Sequence, residues 1–161
     1  MSNLLEKMNE QMNREYESAY VYKALAAYCA ENDYNGSERW MNEQAKEEIF
    51  HAEKFRNFLH DLDHEVKFTG MEPVEENIGS LLDAFKASLE HEKYITRNIK
   101  EIYKQAVEES NYEVQIFLNW FIMEQVEEEA SVGEVVSKLE KIGDSTSGLF
   151  MYDAVLGRRD D

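Results

Sequence analysis

The chain has 161 residues, the size of one domain that can bury a substantial core. Its formal net charge of −17 would repel a nucleic-acid backbone and an anionic membrane surface, which argues against both as partners. The longest uncharged run, Val114 to Met123, is about half of what a membrane-spanning helix needs.

The N-terminal residues and the cysteine content indicate the cellular compartment of the protein. The N-terminal residues have neither the basic start nor the apolar stretch of a signal peptide. Cys29 is the only cysteine, so no disulfide can form within the chain. We therefore expect a cytoplasmic protein.

The first half of the chain predicts a pair of helices. One proline and seven glycines leave few helix breakers, so the composition predicts an all-α fold. The first helix is predicted from about Ser2 to Asp33, with a break at Tyr34-Asn35-Gly36. The second is predicted from about Ser37 to Asp63, and the short break makes the two antiparallel neighbours.

The stretch from His64 to Gly79 has no sustained period and contains Gly70 and Pro73. Extended, it spans about 50 Å. The second helix would be about 40 Å long. The stretch is therefore predicted to run the length of the bundle as one long crossover.

The second half of the chain predicts another antiparallel pair and a short fifth helix. The third helix is predicted from about Ser80 to Glu109, and Ser110-x-x-Glu113 resembles a capping box that opens the fourth. The fourth is predicted to end near Gly143 and the fifth to run from about Ser145 to Leu156. The fifth carries an apolar face that we expect to pack against another element: Leu149, Phe150, Val155 and Leu156. Residues Arg158 to Asp161 are predicted to form a frayed tail.

Each long helix has polar residues near the middle of an otherwise apolar stripe with a 3-4 spacing. Midpoints of antiparallel helices of similar length lie at one depth, so these residues are predicted to meet in one layer. They are Glu15, Glu48, His51, Glu92, Gln125 and Glu128.

Four buried carboxylates cannot remain ionised without a counter-charge, because each costs several kcal/mol against a domain stability of about 5 to 15 kcal/mol. Two divalent cations would balance Glu15, Glu48, Glu92 and Glu128, with His51 as a neutral donor. An oxygen-rich set with one imidazole and no thiolate suits iron or manganese, and zinc is also compatible. Tyr22 lies on the same stripe as Glu15 and is predicted to adjoin the site as a hydrogen-bond donor or electron source.

A second acidic set, Glu47, Glu124 and Glu127, lies just off the stripe. Like charges at this spacing destabilise a helix by a few tenths of a kcal/mol per pair, and a bound cation would relieve this. A solvated acidic face explains the set equally well.

Over essentially its full length the chain resembles the non-haem bacterial ferritins. The resemblance rests on four long helices, the crossover and the short fifth helix, and on a set of residues: Glu15, Tyr22, Glu47-Glu48-x-x-His51, Glu92 and Glu124-Gln125-x-Glu127-Glu128. A symmetric di-iron oxidase or a bacterioferritin would have a second Glu-x-x-His where this chain has Gln125-x-x-Glu128. The residue at the position of bacterioferritin's haem-ligating methionine is Ile49, so the resemblance implies no haem.

The resemblance implies a single ferritin-like di-iron domain over residues 1–161 that oxidises Fe(II) with dioxygen or hydrogen peroxide and stores the product as hydrated ferric oxide. Glu15, Glu48 and His51 would hold the first iron, and a bridging Glu48 with Glu92 and Glu128 the second. Gln125 would orient water or dioxygen. A third iron would bind the second acidic set, and 24 subunits would form a hollow shell with the fifth helix at a fourfold axis.

Two other functions are compatible with parts of the pattern. A small di-iron peroxidase or oxidase of the rubrerythrin type would use the same bundle without a cage. The lack of a Cys-rich segment and of a second Glu-x-x-His argues against it. A non-catalytic helical interaction module would need apolar residues in place of Glu15, Glu48 and Glu92.

Overall fold

The computed structural model describes residues 1–74 and 77–160. Within these ranges the chain forms five helices and no strand, which confirms the predicted all-α class. The helices are α1 (Leu4–Glu31), α2 (Asn35–Asp61), α3 (Leu81–Glu108), α4 (Tyr112–Ile142) and α5 (Thr146–Leu156). None of the described helices is long and apolar enough to cross a membrane.

The buried apolar residues form two clusters, one toward each end of the bundle. Residues from the C-terminal half of α1 and the N-terminal half of α2 belong to the first cluster, which Leu25 and Met41 represent. The opposite halves of the same helices contribute Met8 and Phe55 to the second. α3 and α4 also divide between the two clusters. Neither apolar cluster therefore fills the middle of the four-helix bundle, where other side chains lie.

The predicted long crossover between α2 and α3 is present. Leu59, near the end of α2, belongs to one apolar cluster, and Leu81, the first residue of α3, belongs to the other. The connection therefore runs from one end of the bundle to the other. Two asparagines of α1 hold its first part: the side chain of Asn9 pairs with both backbone groups of Lys67, and Asn13 Oδ1 accepts a hydrogen bond from the backbone N–H of Thr69.

The break between the first two helices lies earlier than predicted. The chain turns over residues 32–34, where Asp33 has a φ of 64°, and α2 already begins at Asn35. Gly36 is therefore inside a helix. A Cβ at this position would overlap the backbone carbonyl oxygen of Asp153 in α5, so the glycine permits close helix packing and not a turn.

The predicted capping box at the start of α4 is wrong. Ser110 has a φ of 54°, because the chain reverses direction there between α3 and α4. The cap is the next residue, Asn111, whose side chain accepts a hydrogen bond from the backbone N–H of Val114 at 3.0 Å.

Helix α5 packs against the start of α2. The carboxylate of Asp153 accepts hydrogen bonds from the backbone N–H groups of Gly36 and Ser37, at 3.0 and 2.7 Å, and from the Ser37 hydroxyl at 2.6 Å. It thereby satisfies N–H groups that have no partner within α2. Leu156 is buried, but Phe150 and Val155 remain 44% and 48% exposed, so only part of the predicted apolar face is covered in this chain.

Candidate metal centre

The layer between the two apolar clusters contains the polar residues that interrupt the helix stripes. Each of the four long helices contributes at least one of them, at a position where its stripe faces the bundle axis. All are at most 5% exposed, and they are Glu15 of α1, Glu48 and His51 of α2, Glu92 of α3, and Gln125 and Glu128 of α4.

The donor atoms of these side chains form two groups that share one carboxylate. Oxygen and nitrogen atoms of Glu15, Glu48 and His51 lie within 4.8 Å of one another, and so do carboxylate oxygens of Glu48, Glu92 and Glu128. Both groups are fully buried. This arrangement can hold two cations side by side with Glu48 between them.

Three atoms of the first group are buried without a hydrogen-bond partner: Glu15 Oε2, Glu48 Oε2 and His51 Nδ1. His51 Nδ1 lies 3.3 Å from Glu48 Oε2 and 3.9 Å from Glu15 Oε2, so the three are directed to one region. Buried polar atoms are normally hydrogen-bonded. Three potential metal-ligating atoms that lack hydrogen-bond partners and face one region fit a metal ion as their common partner.

The charges in the layer are unbalanced. No lysine or arginine is among the buried residues of the described chain. Burial, followed by the charges of neighbouring carboxylates, raises the pKa of Glu15 and Glu92 well above the usual range and that of Glu128 to about 11. Without a bound cation, these three carboxyls therefore favour the neutral form.

Glu48 and His51 behave in the opposite way. Burial acts to raise the pKa of Glu48, but His51, together with hydrogen bonds to Glu15 and Gln44, outweighs burial, and the net pKa is lowered. Burial acts to lower the pKa of His51, but Glu48, followed by Glu124 and Glu47, outweighs burial and raises it overall. The shared carboxylate therefore favours the ionised form in which it can bind cations.

Amide and hydroxyl groups orient the carboxylates. Gln44 Nε2 donates to both Glu48 Oε1 and Glu128 Oε2, at 3.1 and 2.7 Å. The Tyr22 hydroxyl donates to Glu92 Oε1 at 2.7 Å, and Gln125 Nε2 lies 3.1 Å from Glu92 Oε2. Each metal-facing carboxylate on α2, α3 and α4 therefore has a neutral donor that orients it.

Two amide side chains that orient carboxylates, Gln44 and Gln11, were not predicted from the sequence. Gln44 lies on the same helix stripe four positions before Glu48, and this spacing indicates a contact between the two. Its contact with Glu128 of α4 depends on how the helices pack. Gln11, which donates to Glu15 Oε1 at 3.2 Å, is likewise one turn before its partner. Both fit the i, i+4 spacing at which amides support carboxylates on one helix.

The second acidic set lies beside this layer in a pocket. Glu47, Glu124 and Glu127 line it together with Glu128 and Trp40. The three do not have donor atoms within 4.8 Å of one another in the part of the chain that the structure describes. Glu124 instead forms such a group with His51 and Glu128.

The predicted frayed tail is wrong for Arg159, which lines the same pocket. Its guanidinium lies 3.0 Å from a Glu47 oxygen and 4.6 Å from the ring centre of Trp40. Burial of an aromatic face and an ion pair together outweigh the mobility expected of a chain end. Arg158 and Asp160 are exposed, and Asp161 lies outside the described residues.

The chain is similar to known proteins in both sequence and fold. The family model for the Ferritin-like domain matches residues 5–142. The bacterial non-heme ferritin of Staphylococcus aureus strain MRSA252 is 40% identical over 157 residues, which cover 98% of this chain and 95% of that protein. That of Staphylococcus haemolyticus strain JCSC1435 is 36% identical over 97% of this chain and 94% of that protein.

Solved ferritin structures match the fold of this chain. An open pore ferritin from the hyperthermophilic archaeon Archaeoglobus fulgidus matches with a TM-score of 0.97 at 35% identity, over 99% of both chains. A humanized archaeal ferritin matches with a TM-score of 0.97 at 33% identity, over 100% of this chain and 99% of that one.

A bundle of four long helices with a carboxylate-rich metal centre in its middle layer defines the ferritin-like class. Within that class, the chain belongs to the ferritin family. Its function is iron storage, and the relatives give no support to the cage-free, rubrerythrin-type alternative.

Proposed function

We propose that the protein is a ferroxidase that oxidises Fe(II) to Fe(III) at an intra-subunit di-iron site before storing the iron. The observation that carries this proposal is the shared Glu48 carboxylate, which belongs to both buried donor groups. Ions on either side of it would be close enough to give up one electron each to a single oxidant. The three unpartnered atoms of the first group support the same interpretation.

In this proposal Glu15, Glu48 and His51 bind the first Fe(II), and Glu48, Glu92 and Glu128 bind the second. Two Fe(II) ions lose two electrons, which reduce dioxygen to hydrogen peroxide with two protons, or hydrogen peroxide to two waters with two protons. Tyr22 donates a hydrogen bond to Glu92 and would tune that ligand or supply an electron. Gln125, which contacts the same carboxylate, would orient water or the oxidant.

The ferric product would then leave for a mineral of hydrated ferric oxide. Glu47, Glu124 and Glu127 would bind a third iron on that route, because their pocket is lined by Glu128 of the di-iron site as well. No haem takes part in this scheme, since Ile49 stands where bacterioferritin has its ligand.

A storage function needs a shell around the mineral. We propose that residues 1–161 act as one domain and that 24 copies assemble in the cytoplasm as a homo-oligomer. Exposed apolar residues on α5 support self-association: Phe150, Met151 and Val155 are 44%, 72% and 48% exposed in the single chain. Size-exclusion chromatography checks the assembly, and a particle of only a few subunits would contradict it.

The chemistry is tested by adding Fe(II) in air and following Fe(III) absorbance. Wild-type protein is expected to oxidise two Fe(II) per subunit rapidly. Glu48→Ala and His51→Ala should each slow this step at least about hundredfold, because changes to residues that only orient metal ligands already cost about 10- to 100-fold. Glu53→Ala removes an exposed carboxylate of the same helix and should keep the wild-type rate. An unchanged rate in both ligand variants would refute the site.

A further inference from the structure

The C-terminal tail places a fixed positive charge in the acidic pocket beside the metal centre. Among the described residues that line this pocket, Arg159 is the only basic one, and its side chain is 17% exposed. The other charged residues in the lining are four glutamates: Glu47, Glu124, Glu127 and Glu128. An arginine at this point reduces the field that would otherwise attract cations.

Several contacts hold the guanidinium in place. It packs on the face of Trp40, with 4.6 Å from its central carbon to the ring centre, and donates to the Trp40 carbonyl oxygen at 3.1 Å. It pairs with Glu47 at 3.0 Å. Contact with an aromatic face and directed hydrogen bonding distinguish this group from a mobile surface charge.

The tail backbone is also held. Arg39 of α2 donates to the carbonyl oxygens of Gly157 and Arg159. Asp153, one turn before Gly157, anchors α5 to the start of α2. The neighbouring Arg158 is exposed. The fold therefore directs one of two adjacent arginines into the acidic pocket.

We propose that Arg159 is an internal competitor for cations in this pocket: its guanidinium, paired with Glu47, opposes the binding of a divalent ion to that carboxylate. This inference rests on the proposed third iron position and adds its regulation. A carboxylate can accept from an arginine and bind a metal at the same time, so the competition is electrostatic: the fixed positive charge beside Glu47 offsets part of the attraction for a divalent ion. The competition weakens binding, which suits a position that iron must leave.

The test uses full-length protein crystals soaked in graded concentrations of zinc chloride. Anomalous scattering at the zinc edge then gives the occupancy at each position. R159Q removes the competing charge, R159K keeps the charge without the planar fork, and R158Q is the matched control for net charge. The same crystals show whether the tail remains on Trp40.

In R159Q the zinc concentration that half-fills the pocket is expected to fall about fivefold, which corresponds to about 1 kcal/mol for a partly exposed ion pair. R158Q should match wild type, and R159K should fall between R159Q and wild type.

Two results would overturn the inference: equal zinc occupancy of the pocket in wild type and R159Q, or a pocket without zinc in every variant. The di-iron site is read separately in the same maps. Zinc absent between Glu15, Glu48, His51, Glu92 and Glu128 would refute the proposed ferroxidase site. Zinc present there with no effect of Arg159 would refute only the competition.

Discussion

The protein has two adjoining acidic regions that differ in how their charge is balanced. In the buried layer, Glu15, Glu92 and Glu128 have raised pKa values, and His51 is the basic side chain that lies among them. In the neighbouring pocket, Glu47 is 39% exposed and already paired with Arg159. Among the described residues, the buried layer therefore has no arginine or lysine to balance its carboxylates, whereas the pocket has Arg159.

This difference teaches how similar carboxylates can serve distinct purposes. A buried carboxylate without a counter-charge binds a cation strongly, because the cation removes the cost of burial. A half-exposed carboxylate with an arginine gains less from the same cation. Tight binding suits a site where electrons are transferred, and weak binding suits a site of passage.

The largest effect is expected from metal and pH acting on the buried layer. The folded chain raises the pKa of Glu15, Glu92 and Glu128 above the ordinary 4.5, so it holds these protons more tightly than the unfolded chain. Their contribution to the free energy of unfolding is thus fully present below pH 4.5 and is lost as pH rises toward the folded pKa values.

Thermal unfolding of chelator-treated protein, with and without zinc, checks this between about pH 5 and about pH 9, above the ordinary glutamate pKa of 4.5. At a thousandfold excess over its Kd, zinc should stabilise the fold by about 4 kcal/mol. The increase in Tm should grow with pH, because the metal competes with fewer protons. A zinc effect that is independent of pH would contradict the assigned charge states.

A second experiment disturbs the packing of α5, the helix that precedes Arg159. Gly36→Ala should cost about 1 to 3 kcal/mol of stability through overpacking, because the added methyl overlaps the carbonyl of Asp153. It should also raise zinc occupancy in the pocket as R159Q does. Denaturant unfolding and the zinc soak measure the two effects.

Gly133→Ala in α4 is the matched control for this experiment. Apart from the adjoining backbone of α4 itself, no described atom lies within 4 Å of the position that a Cβ would take, so alanine should stabilise the helix by about 0.5 to 1 kcal/mol. If Gly36→Ala were equally stabilising, the close packing of α2 on α5 would be refuted.

The smallest expected effect compares two glutamates of α4, one from each region. Glu128→Gln removes a buried ionisable group whose pKa is raised to about 11, and its amide oxygen can still accept from Gln44. Metal-free protein should gain at least about 1 kcal/mol, or about 2 to 4 °C in Tm, at neutral pH. Zinc binding at the second position should be lost.

Glu127→Gln, one residue earlier and exposed, should change the metal-free stability by less than about 0.5 kcal/mol. Calorimetry on both variants measures the contrast. Equal Tm values for the two variants would mean that Glu128 carries no burial cost in the absence of metal.

The helices and the residues of the buried layer could be predicted from the sequence, whereas several contacts around them could not. Glu15, Glu48, Glu92 and Glu128 interrupt apolar stripes, and periodicity assigns a residue to a helix face without knowledge of the neighbours. The capping of α4 by Asn111 was missed because a left-handed residue at Ser110 shifts the helix start by one position.

By itself, the sequence determined the five helices, the long crossover and the polar residues of the middle layer, because these depend on local spacing and on chain length. Only the tertiary structure decided that Gln44 links Glu48 to Glu128, that Gly36 admits the backbone of α5, and that Arg159 reaches Glu47. Arg159 and Trp40 are 119 positions apart, and contacts at that separation depend on how whole helices pack. No local pattern of residues encodes them.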